Sequence, residues 1–102
     1  MIEIIKYGAH WCGPCWAVET LLTRLKKEYP EVPIRSVDID SPEGEEACRD
    51  YKIFTIPTII GFVNGQTAAR ISSVPTYEAL KELISSLRSI EAEKAATTSS
   101  HG

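Results

Sequence analysis

Two cysteines separated by two residues stand near the beginning of the sequence, within the stretch HWCGPCW at residues 10–16. A pair with this spacing is half of a zinc site, a structural disulfide, or a redox pair that cycles between dithiol and disulfide. A zinc site commonly needs four ligands, and the further cysteine and histidine candidates are only Cys48, His10 and His101. A disulfide that closes so short a loop adds little stability. The residues therefore favour a redox pair and no metal.

The pattern around the pair places it where a strand gives way to a helix. Residues 2–7 form a short isoleucine-rich run that stops at Gly8, which predicts a buried strand. From Pro14 to Tyr29 apolar residues recur at spacings of three and four, which predicts an amphipathic helix. The cysteine pair therefore opens a helix.

A cysteine at the start of a helix has a favourable setting for nucleophilic chemistry. The free backbone N–H groups and the helix dipole favour negative charge there, so we expect a thiolate at Cys12 to be stabilised. Gly13 keeps the turn unhindered, and Pro14 supplies a fixed φ for the first helical turn. We therefore expect Cys12 to attack a substrate disulfide and Cys15, one turn behind it, to resolve the mixed disulfide.

The segment after the first helix predicts a second strand and a short second helix. Residues 34–39 read IRSVDI, which is typical of a strand. Ser41 followed by Pro42 has the form of an N-cap with proline in the first turn, and this helix is expected to end near Tyr51. Cys48 falls on the face of that helix that is expected to point inward, which gives it a structural role as a small hydrophobe.

The C-terminal half predicts a hairpin followed by a last helix. Asn64-Gly65 separates two strand-like runs, and this dipeptide is the strongest short-range signal for an antiparallel hairpin. Thr76 is placed to cap a helix whose core-facing stripe is Leu80, Leu83, Ile84 and Leu87. The sequence loses bulky apolar residues after about Ile90, so we expect residues 1–90 to form one domain and residues 91–102 a disordered tail.

Composition excludes several classes of protein. The 102 residues are 43% hydrophobic and 25% charged, which fits one domain with a single core. The net charge of −3 and the scattered basic residues give no footprint for a nucleic-acid partner. No apolar run approaches the roughly 20 residues that span a bilayer, and the N-terminus lacks the features of a signal peptide, so no membrane partner and a cytoplasmic location are expected. Three cysteines are too few for a secreted disulfide framework.

Two motifs together resemble the thioredoxin family. They are Trp11-Cys12-Gly13-Pro14-Cys15 at the helix start and Ile56-Pro57-Thr58 before a hairpin strand, and their combination is far more specific than a bare C-x-x-C. The resemblance runs from about Ile2 to Leu87. It implies an α/β, thioredoxin-like fold with a four-stranded mixed sheet flanked by three helices, lacking the usual N-terminal strand and helix. That layout is closer to the compact one of glutaredoxins.

The resemblance also implies roles for residues outside the cysteine pair. Pro57 would be a cis-proline that packs against the pair, and the backbone of Ile56 would bind an extended substrate segment. Trp11 would line the substrate face. Ser73 stands on that face where the family has a glycine.

Behind the pair, the sequence departs from the family. Lys6 takes the place of a buried aspartate, and Ser36 takes the place of the lysine that pairs with it. Gly8 replaces a tryptophan and Thr20 a proline. We hypothesise that Lys6 lowers the pKa of the nearby thiols by attraction. The alternative is that Lys6 lies at a strand end and extends its long side chain to solvent.

The activity implied is that of a protein disulfide reductase. A redox-active disulfide between Cys12 and Cys15 would carry the electrons, with no bound organic cofactor. The partners implied are disulfide-containing proteins and a separate electron donor, either an NADPH-linked thioredoxin reductase or glutathione, and the chain is expected to act as a monomer. Two alternatives stay open: a glutaredoxin-like, glutathione-dependent oxidoreductase, and a non-catalytic binding module of the same fold.

Overall fold

The computed structural model describes the backbone of residues 1–101 and the side chains of residues 1–96. Four strands and three helices lie along this part of the chain. In order, they are β1 (Ile2–Gly8), α1 (Gly13–Glu28), β2 (Ile34–Asp38), α2 (Pro42–Asp50), β3 (Thr58–Val63), β4 (Gln66–Ile71) and α3 (Tyr77–His101). Each predicted element is present, with ends that differ by at most a few residues except in α3.

The four strands form one mixed sheet in the order β2-β1-β3-β4. β1 pairs in parallel with β2 and antiparallel with β3, and β3 pairs antiparallel with β4. In this register Lys6 lies beside Ser36 on one side and Ile59 on the other. The predicted mixed sheet is therefore confirmed, and it places Lys6 in a central strand.

Alternate residues of β1 face opposite layers of the molecule, because side chains alternate across a strand. Ile4 belongs to the larger core, which includes residues of α1 and α3, whereas Ile5 belongs to the smaller core beside α2. Both isoleucines are almost completely buried. Lys6 follows the alternation of Ile4 and so faces the layer that contains α1.

The residues predicted to cap helices and to form the hairpin turn do so in the structure. Ser41 Oγ accepts a hydrogen bond from the Gly44 N–H at 3.0 Å, which caps α2. Thr76 Oγ1 accepts one from the Ala79 N–H at 3.1 Å, at the start of α3. At the hairpin, Asn64 and Gly65 both have positive φ, 52° and 82°, as a tight turn between antiparallel strands requires.

The C-terminal segment differs from the prediction of a disordered tail. α3 continues past Ile90 to His101, and Gly102 lies outside the described residues. Residues 91–96 read EAEKAA, and alanine, glutamate and lysine have high helix propensity. The extension also has partners: the N-terminal amino group contacts the Glu91 carboxylate, and Lys94 Nζ lies 3.4 Å from Gln66 Oε1. Loss of bulky apolar residues was therefore a poor guide to the end of this helix.

Across residues 1–101, none of the helices combines the length and the apolar character needed to cross a membrane.

Candidate active site

Cys12 and Cys15 are joined by a disulfide at the start of α1, with their Cα atoms 5.3 Å apart. Cys12 is the N-cap of the helix, and its sulfur accepts a hydrogen bond from the Cys15 N–H at 3.3 Å. Pro14 lies in the first turn, as predicted. Cys12 is 7% exposed and Cys15 2%, so Cys12 is the outer of the two sulfur-bearing residues. The site is thus a reversible two-electron centre that presents one sulfur toward the surface.

The segment before β3 packs beside the pair. The Ile56–Pro57 peptide bond is cis, as the resemblance implied. Ile56 packs against the small cluster formed by Ala9, Cys12 and Cys15. The structure therefore brings the two sequence motifs together, although 40 residues, 16–55, separate them along the chain.

Two tryptophans flank the pair and are largely exposed. Trp11 is 62% exposed, and its Nε1 donates to Asp40 Oδ2 at 3.1 Å. Trp16 is 60% exposed, and its Nε1 donates to the His10 carbonyl oxygen at 3.1 Å. Each indole therefore has one hydrogen bond that orients it while leaving most of its apolar surface open.

Sequence reasoning missed a third exposed aromatic side chain. Phe54 is 88% exposed and lies two residues before Ile56, which packs against the cysteine cluster. Ser73, the predicted substrate-face residue, is exposed in the loop between β4 and α3, next to Val74, which is itself 44% exposed. An exposed aromatic residue in a loop has no periodicity to reveal it, so the sequence carried no signal for Phe54.

Lys6 is buried behind the pair. Its side chain is only 7% exposed, so the alternative in which it extends to solvent is wrong. Lys6 Nζ lies 2.5 Å from Glu19 Oε1, and Ser36 Oγ donates to the same oxygen at 2.5 Å. Burial by itself raises the pKa of Glu19, but the hydrogen bonds from Lys6 and Ser36 together outweigh it and hold that pKa below its usual value.

Glu19 is the second residue that sequence reasoning missed. It lies four residues after Cys15 on α1, so the two side chains share one face of the helix. Its partners come from β1 and β2, which are distant along the chain. The helical spacing was a usable signal, since it places a carboxylate beside the predicted resolving cysteine.

Gly8 allows the close approach of Cys15 to the end of β1. A Cβ atom on Gly8 would lie 2.8 Å from Cys15 Sγ and 3.3 Å from Lys6 Nζ. Both distances are shorter than ordinary carbon contacts, so a side chain at residue 8 would require the Cys15 or Lys6 side chain to shift. A cavity of about 320 Å³ opens here, lined among others by Lys6, Gly8, Cys15 and Glu19.

His10 lies beside two acidic side chains. Its Nδ1 lies 3.6 Å from Asp38 Oδ2, and possible ligand atoms of His10, Asp38 and Asp40 lie within 4.8 Å of one another. All three residues are exposed. Asp40 already accepts the Trp11 indole N–H, and Asp38 accepts the Asp40 backbone N–H at 2.8 Å. The cluster is thus explained by hydrogen bonds within the loop.

Cys48 lies on the other side of the sheet from the pair. It is partly buried against the smaller core, and burial raises the pKa of its thiol. This is the inward-facing position that the helical pattern predicted.

The fold and the site together define a class of protein. A mixed sheet carries a helix that begins at a buried cysteine pair, and this is the arrangement of a thiol-disulfide oxidoreductase.

The comparisons with known proteins agree with this class. The Thioredoxin family model matches residues 2–86. A thioredoxin of Chlamydia trachomatis is 37% identical over 84 residues, which cover 82% of this chain and 80% of the relative. The mitochondrial thioredoxin O of rice, Oryza sativa, is 35% identical over 68 residues, which are 67% of this chain and 39% of that relative.

Solved structures give the same result. The thioredoxin of Fasciola hepatica superimposes with a TM-score of 0.73 and 32% sequence identity, over 82% of this chain and 78% of that one. The chain belongs to the thioredoxin family. It is a thiol-disulfide oxidoreductase with protein disulfide reductase activity, and its redox-active disulfide is Cys12–Cys15.

Proposed function

We propose that the chain reduces protein disulfides with Cys12 as the nucleophile and Cys15 as the resolving thiol. The observation that carries this assignment is that Cys12 is the helix N-cap and the more exposed member of a pair joined by a disulfide. An N-cap sulfur receives the backbone donors and the dipole that stabilise a thiolate. Cys15, which is shielded beneath it, is protected from substrate until a mixed disulfide forms.

The reaction then balances in two exchange steps. The Cys12 thiolate attacks one sulfur of the substrate disulfide, a bond forms between Cys12 and that sulfur, and the other substrate sulfur leaves and takes up a proton. Cys15 then loses its proton to water and attacks Cys12 Sγ, the bond from Cys12 to the substrate sulfur breaks, and that sulfur leaves as a thiolate that takes up a proton. Two electrons pass to the substrate, and the pair ends as the disulfide. The two thiols carry both electrons, so this cycle calls for no bound organic cofactor.

The surface around Cys12 supplies the proposed substrate face. Trp11 offers open apolar surface, and Ile56 packs against the cysteine cluster. In this proposal the Ile56 backbone pairs with an extended substrate segment. Pro57 fixes the path of the chain after Ile56, and Ser73 lies exposed in the loop after β4. We assign residues 1–90 as the catalytic domain, which contains all of these groups. We also assign this protein to a reducing compartment such as the cytoplasm, acting there as a monomer.

The electron donor in this proposal is an NADPH-linked thioredoxin reductase. The test compares two regenerating systems on the oxidised protein, with a disulfide-bonded protein as final acceptor. One contains NADPH and thioredoxin reductase, and the other contains NADPH, glutathione and glutathione reductase. We expect turnover in the first. Turnover in the second alone would overturn the donor assignment and leave a glutathione-dependent oxidoreductase.

A further inference from the structure

An ion pair lies behind the disulfide, beneath the helix that carries it. Lys6 comes from β1 and Glu19 from α1, and the Lys6 ammonium is almost completely enclosed. Glu19 Oε1 accepts from both Lys6 Nζ and Ser36 Oγ, each at 2.5 Å. Since Ser36 lies in β2, three elements hold one carboxylate oxygen and one ammonium in fixed positions.

This pair lies close to the inner sulfur. The point that a Cβ of Gly8 would occupy is 2.8 Å from Cys15 Sγ and 3.3 Å from Lys6 Nζ. Placed end to end, these distances limit the separation of sulfur and ammonium to about 6.1 Å. Glu19 lines the same cavity as Cys15 and Lys6. Lys6 and Cys15 are both largely buried, so a charge at such a distance acts on a Cys15 thiolate more strongly than it would in bulk water.

The other charged groups around the cavity are more exposed. His10 and Asp38 also line it, but they belong to its rim, where their side chains are 75% and 43% exposed and face each other. Solvent screens their effect on Cys15. Lys6 is 7% exposed, and Glu19, although 33% exposed, is held directly against it. These two opposite charges are therefore the ones best placed to act on the inner sulfur.

We propose that the Lys6–Glu19 ion pair sets the redox potential of the Cys12–Cys15 disulfide through the balance of the two charges at Cys15, with Ser36 holding Glu19 in position. Lys6 favours the Cys15 thiolate, and Glu19 limits that effect. A stabilised thiolate stabilises the reduced protein and makes the disulfide more oxidising. Glu19 is thus a positioning residue that keeps the protein reducing. The inference rests on the proposed resolving role of Cys15.

Changing the two charges separately has opposite expected effects. Glu19→Gln keeps the shape and the hydrogen-bond acceptor but leaves the Lys6 charge unopposed, so the Cys15 thiol pKa falls and the disulfide becomes more oxidising. Lys6→Met leaves the carboxylate unopposed, so the Cys15 thiol pKa rises and the disulfide becomes more reducing. In the double variant, both the Cys15 thiol pKa and the redox potential of the disulfide return toward the wild-type values. We expect each single variant to change the equilibrium constant with glutathione about tenfold, which is ~30 mV for a two-electron couple.

The experiment measures redox equilibrium with glutathione for the wild type and the three variants. In a Cys12→Ser background, NMR titration of ¹³C-labelled cysteine measures the Cys15 pKa free of coupling to Cys12. Lys27→Met and Glu82→Gln are matched controls, since both residues are exposed and lie outside the cavity. Shifts of opposite sign in the single variants support the proposal. Shifts of the same sign, or none, overturn it.

The design separates this inference from the proposed roles of the cysteines. If Lys6→Met does not fold, Glu19→Gln and the double variant decide, because an unchanged Cys15 pKa in Glu19→Gln overturns the proposal alone. If a protein substrate forms its mixed disulfide with Cys15 rather than with Cys12, the proposed roles of the two cysteines fail, whatever the redox potentials of the variants are. Opposite shifts without correct trapping would therefore contradict the mechanism and leave the electrostatic balance standing.

Discussion

The backbone N–H of Cys15 donates a hydrogen bond to the sulfur of Cys12 across 3.3 Å. The bond exists because Cys12 is the N-cap of α1, the position where a side-chain acceptor normally binds a backbone donor of the first turn. When the disulfide opens, the same donor stabilises negative charge on Cys12. The helix start thus supplies the electrostatic setting that the exchange reaction needs.

The first prediction concerns the reactivity of the reduced pair. Cys12 should titrate below the ordinary cysteine value of about 8.5, so it should react with iodoacetamide at pH 7 faster than a model thiol with the ordinary value. Cys48 is an internal control, because burial raises the pKa of its thiol. The rate of alkylation at each cysteine, followed by mass spectrometry over a pH series, checks this. Faster labelling of Cys48 than of Cys12 would be inconsistent with the site described.

The second prediction concerns the space between β1 and α1. Gly8→Ala places a methyl group 2.8 Å from Cys15 Sγ, and we expect overpacking to reduce the free energy of unfolding by roughly 1–3 kcal/mol. Gly13→Ala is the matched control, because a Cβ there meets nothing within 4 Å. Urea denaturation of both oxidised variants measures the difference. Equal stability of the two variants would show that the close approach at Gly8 is not constraining.

The third prediction concerns protein substrates. Phe54→Ala removes an 88% exposed ring near Ile56, so we expect the free energy of unfolding to change by no more than about 0.5 kcal/mol. Loss of an aromatic contact should raise KM for a disulfide-bonded protein by a factor corresponding to about 1–2 kcal/mol. A small aromatic disulfide used as an alternative acceptor, too small to reach Phe54, should be reduced at the wild-type rate. An unchanged KM for the protein acceptor would show that Phe54 makes no contact with the substrate.

The fourth prediction concerns acid stability. The hydrogen bonds from Lys6 and Ser36 outweigh burial and hold the pKa of Glu19 below its usual 4.5. A depressed folded-state pKa contributes stability that is present above the unfolded value and is lost as pH falls through the folded value. Between about pH 5 and 3, the wild type should therefore lose more stability than Glu19→Gln. If the free energy of unfolding, measured by denaturation at each pH, falls equally in the two proteins, Glu19 does not contribute to the loss of stability in acid.

Local signals in the sequence predicted most of the fold. Ser41 and Thr76 cap helices through contacts only three residues away, and Asn64-Gly65 forms its turn within the hairpin itself. Such interactions depend on neighbours in the chain, so residue type and spacing are enough to predict them. The cysteine pair belongs to the same group, because its position at the start of α1 follows from the adjoining strand and helix patterns.

Glu19 was missed because its role depends on contacts between distant elements. The ion pair of Lys6 with Glu19 joins β1 to α1, and its acceptor oxygen is shared with β2. Helical spacing places Glu19 on the same face as Cys15, but only the packing of α1 over the sheet shows that its carboxylate pairs with Lys6 and is partly buried. Phe54 was missed for the opposite reason, because an exposed loop residue leaves no pattern. The length of α3 was missed because helix propensity, rather than apolar content, extends it.

Trapping of the mixed disulfide tests the central claim most directly. Cys15→Ser should accumulate a one-to-one adduct with a disulfide-bonded protein through Cys12, which dithiothreitol reverses and peptide mapping locates. Cys12→Ser should form no such adduct at Cys15. An adduct that forms equally well in Cys12→Ser, or that maps to Cys48, would contradict the account in which Cys12 attacks and Cys15 resolves.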